Sequence, residues 1–231
     1  MKEKNEKSTN LIFGMKIFTK DNLLICGILS TILYIIATIL GAIKWDEYDS
    51  FSQSVSELIA VNAPSASLVI PLFLIYSLLV FAFGIGVWLS AENKRAIRIV
   101  AILITAKEVL GVIATLFAPM HLRGIETTLS DTWHIILTAI GVLLCMFPAI
   151  LSGANAFGKR FRVFSIATIL IFLVFGTLAG MDGSKIAENL PTPCAGVWER
   201  INIYTYFIWV IVLAINLLRQ NKNQERNTIK L

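Results

Sequence analysis

Six apolar runs, each close to the length a helix needs to cross a bilayer, leave this chain few other ways to fold. They are residues Asn22–Ile43, Val69–Leu89, Ile97–Ala118, Thr132–Leu151, Val163–Met181 and Ile201–Leu218, and a spanning helix takes about 20 such residues. Charged residues make up only 15% of the sequence, against about 25% in an ordinary soluble domain. The expected fold class is all-α: a polytopic integral membrane protein whose six-transmembrane-helix bundle covers residues 22–218, between tails at 1–21 and 219–231. No length remains for a separate soluble domain. The basic segment before the first run lacks the form of a cleaved leader, and that run has full spanning length, so it is expected to stay as the first helix.

Charge orients the bundle. Lys2, Lys4, Lys7, Lys16 and Lys20 precede the first run; Lys94, Arg95 and Arg98 join the second to the third; Lys159, Arg160 and Arg162 join the fourth to the fifth; Arg219, Lys222, Arg226 and Lys230 follow the sixth. Only Lys44, Arg123, Lys185 and Arg200 fall on the opposite flanks. The bias puts both termini in the cytoplasm of a multi-pass cell-membrane protein. It also accounts for the net charge of +5 through contact with anionic membrane lipid, without nucleic acid.

The third run carries Lys107 and Glu108 side by side near its middle, roughly 15 Å into the hydrocarbon. A charge at that depth costs at least a few kcal/mol against lipid, so both must face protein, water or a ligand. Thr31, Tyr34 and Thr38 follow an i, i+3, i+7 course along the first run, and Tyr34 has the depth to partner the pair.

The connections on the side away from the basic turns are longer than closure requires, which is where function concentrates. In the first, Phe51, Val55, Leu58 and Ile59 recur at helical spacing, Ser54 and Glu57 stand at capping-box separation, and Pro64 ends the pattern. A short amphipathic helix is expected there, with Glu57 either capping it or pointing into an outward cleft. The second holds the two histidines: His121 and Arg123 follow the third run, and Asp131 and His134 share a face at the start of the fourth. His121, Asp131 and His134 can begin an acid–base site, or a metal site if the loops close on one ion. Asp131 is equally placed to favour the helix dipole. The third ends in Glu199 and Arg200, which either pair with each other or present the arginine to an anionic group. Cys26, Cys145 and Cys194 fall at different depths and suit neither a disulfide nor a metal-ligand spacing.

The order of Ser56-Glu57-Leu58, Pro119 to His121, Asp131 and His134, Gly196, Glu199 and Arg200, and Trp209 in the last run resembles a family of bacterial and archaeal six-helix membrane proteins catalogued as a domain of unknown function. The resemblance implies the six-helix fold and shared outer-face residues over nearly the whole chain, and no established activity. Many relatives have Phe-Pro and then an acid after the third span, where this chain reads Ala118-Pro119-Met120-His121.

Three function classes follow. One is a protein whose outward-facing polar pocket, lined by Glu57, Tyr34, Lys107, Glu108, Glu199 and Arg200, binds or transports a lipid or small amphiphile. The second is an integral-membrane hydrolase or transferase using His121, Asp131 and His134, metal-assisted or not; the third is a structural or interaction protein. No cofactor is indicated, and no P-loop, dinucleotide glycine pattern, G-x-S-x-G elbow or H-E-x-x-H pair occurs.

Overall fold

A computed structural model describes residues 19–229; most of the expected N-terminal tail, with Lys2, Lys4, Lys7 and Lys16, and residues 230–231 lie outside the described residues. Among the described residues, six helices are long and apolar enough to cross a membrane: α1 Lys20–Lys44, α2 Ala66–Leu89, α3 Arg95–Phe117, α4 Leu129–Gly153, α5 Lys159–Ala187 and α6 Ala195–Ile229. The protein is an all-α, polytopic membrane bundle. Local chemistry starts the helices where they start: Thr19 accepts the Asn22 amide at 3.2 Å at the head of α1, and Thr128 and Asp131 form a complete capping box at the head of α4.

The connections sort by length. The long loops meet at one end, where Val61 N–H donates to Met120 O at 2.7 Å and Arg123 Nη1 donates to Thr192 Oγ1 at 2.6 Å. The short basic turns meet at the other, where Lys94 reaches Gln220 Oε1 at 2.7 Å and lies over the Phe157 ring. There too α6 ties down its neighbours, Asn221 Nδ2 donating to Asp21 Oδ1 at 2.6 Å and to Ser90 Oγ at 3.2 Å. At about 1.5 Å per residue the 35-residue α6 is about 52 Å long, well beyond the ~30 Å of hydrocarbon. The helix therefore continues past Leu218 through the residues expected to form a tail.

Packing follows the small residues. A Cβ on Gly86 would stand 2.8 Å from Leu23 Cβ and 2.9 Å from the Leu24 amide, so α1 and α2 touch backbone to backbone, as close helix pairs in membranes do. Trp209, fully buried, donates from Nε1 to Ser165 Oγ at 3.0 Å. Thr31 and Thr38 are buried, and their hydroxyls return to the Ile28 and Ile35 carbonyls.

The expected short amphipathic helix of the first long loop is present as a 3-10 helix, Val55–Ile59, with Ser54 and Glu57 as its capping box; Val55, Leu58 and Ile59 are buried while Phe51, just before it, stays exposed. Within α4, residues Gly141–Met146 form a π-turn before the α-helix resumes at Phe147. Pro148 supplies the reason: its ring clashes with the carbonyl four residues back and it has no N–H to offer, which a wider turn accommodates.

Candidate functional site

A cavity of about 160 Å³ lies between α1, α2, α3 and α4, running from the long-loop end to the membrane interior. Val55, Ser56 and Ile59 of the 3-10 turn roof it, and Tyr76, Ser77, Lys107 and Glu108 form its floor. One wall is apolar and aromatic, with Tyr34 stacked on Phe73 at 4.5 Å between centroids and edge-on to Tyr76 at 5.1 Å. The other is the inward face of α4, where His134 and Gly141 are buried and Thr138 stays exposed. Because His134 and Gly141 are seven residues apart on α4, the cavity is about 10 Å deep.

The floor is asymmetric in charge. Glu108 is buried, with Oε1 accepting from Ser77 Oγ at 2.6 Å and Oε2 paired with Lys107 Nζ at 3.2 Å. Lys107 and Glu108 leave the helix about 100° apart, and only the length of the lysine stem lets them meet. The Lys107 side chain keeps 24% of its surface exposed against 3% for Glu108. Its ammonium stands 5.8 Å from the Tyr76 ring centroid. A Cβ on Gly141 would lie 3.8 Å from Lys107 Cγ, so a side chain there would narrow the space over the stem.

His134 stands near the top of the cavity. Its Nδ1 is 2.9 Å from Ala118 O, and a carbonyl can only accept, so Nδ1 carries a proton and donates it there.

His121 and Asp131 make a separate site. Asp131 Oδ1 accepts the His121 amide at 2.6 Å, its carboxylate stands 3.1 Å from His121 Nδ1, and Oδ2 accepts from Thr128 N and Oγ1 at 2.8 and 2.7 Å. They border a smaller cavity, about 60 Å³, closed on its far side by Gly183 and Ile186 of α5. The two histidines thus serve different cavities. Among the described residues no group of three or more His, Cys, Asp or Glu side chains could hold a metal ion.

Glu57, Glu199 and Arg200 build the roof. Glu57 is fully buried; its Oε2 accepts from Ser54 N at 2.6 Å, completing the acidic half of a capping box, and it takes a forked ion pair from Arg123 through Nε and Nη2. Arg123 also holds Ser52 O at 2.6 Å. Glu199 Oε2 accepts the Val55 amide at 2.5 Å. Arg200 donates to Ser50 O and Gln53 O at 2.7 and 3.0 Å, and to Tyr48 OH at 2.6 Å. Burial pushes the Tyr48 hydroxyl up to about 12, with Arg200 opposing the shift, so it stays protonated and donates to Ser54 O at 2.8 Å. Glu199 and Arg200 each turn to the first long loop. At Gly196 a Cβ would collide with the Gln53 and Ser50 carbonyls, so only glycine lets α6 approach this closely.

The nine candidate residues therefore fall into three places: Tyr34, Lys107, Glu108 and His134 on the cavity; His121 and Asp131 beside it; Glu57, Glu199 and Arg200 in the roof. Arg123, outside the expected set, links all three long loops. Its signal in the sequence is a lone arginine immediately after a span on the side poor in basic residues.

Fold and cavity together define a small six-helix membrane protein with a largely apolar recess that ends on a charged floor. The chain belongs to the family described as Protein of unknown function (DUF998), which matches residues 28–216. No curated protein and no solved structure matches it.

Proposed function

We propose that this protein binds or transports a lipid or small amphiphile through the cavity between α1 and α4, with the long-loop end outward and both termini in the cytoplasm. The observation that carries the reading is an open recess with apolar walls and a charged floor, at a depth where burying ionisable groups is costly and where a structural interior would be packed shut. A cavity near 160 Å³ admits a group about the size of benzene. It suits the polar part of a small amphiphile, while the chain lies along the apolar wall or leaves sideways past the exposed face of α4, where Ile135 is 59% and Ile136 38% accessible.

Gly111 supplies the test. It lines the cavity, and a Cβ built there meets nothing closer than Glu108 Oε1 at 4.0 Å. Gly111→Leu fills the recess and improves helix propensity by nearly 1 kcal/mol. Native mass spectrometry of the detergent-extracted protein should show a bound amphiphile in the wild type, and less than a tenth of that occupancy in Gly111→Leu at equal or higher Tm. Equal occupancy in the two proteins defeats the reading.

A further inference from the structure

The charges at the cavity floor are not equivalent toward a ligand. Both oxygens of Glu108 are engaged, one by Ser77 and one by Lys107, and its side chain keeps only 3% of its surface exposed. Lys107 has three N–H donors, of which Glu108 accepts one. Lys107 is the more exposed side chain of the pair, and its ammonium lies near the face of the Tyr76 ring. At that depth water is scarce, and an ammonium with spare donors favours an anionic oxygen over a neutral one, since charge-assisted hydrogen bonds are roughly twice as strong.

The remaining walls limit what can bring that oxygen. Phe73, Ile59, Ala114 and Leu137 contribute apolar surface above the floor, and desolvating a small free anion such as acetate there returns little apolar burial. An alkyl chain attached to the head group uses that surface. Thr138, exposed on α4 beside the cavity, marks the side on which a chain would pass to the lipid.

Resting on the reading of the cavity as a ligand site, we infer that the ligand is an anionic single-chain amphiphile, whose carboxylate or phosphate monoester is held by Lys107. Glu108 positions the ammonium from behind, through Ser77 of α2. The two head groups share the same chemistry, an oxyanion small enough for the cavity, and the probes below distinguish them.

The experiment measures binding to full-length protein in nanodiscs of zwitterionic lipid, using four dodecyl probes that differ only in head group: dodecanoate, dodecyl phosphate, dodecanol and dodecylamine. The expected result is at least tenfold tighter binding of one or both anions than of dodecanol, and weaker binding still of the amine; the tighter anion identifies the head group. In Lys107→Gln/Glu108→Gln, which removes both charges and leaves neither uncompensated, the anion preference should fall below twofold. A helical circular-dichroism spectrum and a monodisperse elution profile like those of the wild type verify that the double variant is folded. Wild-type protein that binds dodecanol as tightly as the anions, or prefers the amine, overturns the anionic assignment while leaving the ligand cavity standing. A wild type that binds none of the four overturns both, and an anion preference that survives in the double variant overturns the role of Lys107.

Discussion

Without Arg123 the buried Glu57 carboxylate would keep only Ser54 as a partner. Breaking a buried ion pair from one side costs about 3–5 kcal/mol, more than removing both charges. Arg123→Ala is therefore expected to lower unfolding stability in detergent by that amount, and Arg123→Met/Glu57→Gln by clearly less. Arg123→Lys should rescue only part of the loss, since an ammonium cannot reproduce a forked pair while also holding Thr192 and Ser52. If Arg123→Ala unfolds like the wild type, the roof does not depend on this pair. The same contact shows which residues the sequence exposes. Lys107 and Glu108 announce themselves, because a charge within an apolar run has a cost readable from composition and depth. Arg123 and Glu57 lie 66 positions apart, in loops with no shared periodicity, so nothing local pairs them. For Arg200 the sequence shows an arginine suited to an anion, while the structure surrounds it with backbone carbonyls that no side-chain pattern encodes.

Among the elements, α4 departs most from a regular helix. Its π-turn accommodates an extra residue, which rotates the half that carries His134 and Asp131 by roughly 100° relative to the half that packs inward. That rotation sets His134 against Ala118 and Gly141 over Lys107. Pro148→Ala removes the clash and should let α4 tighten, with bound amphiphile reduced several-fold by native mass spectrometry and no loss of Tm. Full retention would mean that the capping box and the His134 contact hold the turn without the proline. The spans themselves are legible because length and apolarity suffice to define them, and Asp131 is legible as an acid favouring the helix dipole, whereas its capping partner Thr128 emerges only in the structure. The π-turn is less so: its signal is one proline inside an apolar run, which reads as readily as a simple kink. The continuation of α6 to Ile229 is masked for another reason. Polar residues end a membrane span but do not end a helix, and Asn-Lys-Asn-Gln-Glu-Arg carries no glycine or proline to stop one.

For the molecule as a whole, the proposed orientation can be read with one thiol reagent. In a background with Cys26, Cys145 and Cys194 replaced, Thr127→Cys in the second long loop and Asn93→Cys in a short basic turn are both at exposed positions. A membrane-impermeant maleimide on intact cells should label position 127 and reach position 93 only after lysis; the reverse pattern would invert the protein. The roof has a bearing on biosynthesis as well. Val55 waits for Glu199, 144 residues later, and Ser50 for Arg200, 150 residues later, while chains emerge N-terminal end first at about 5–20 residues per second. For about 2–9 s of translation, the first four spans can be in the membrane with the ceiling over Lys107 unfastened. The roofed recess is thus among the last parts of the protein to be completed, and a chain stopped before its sixth span would hold the floor of the recess without the means to close it.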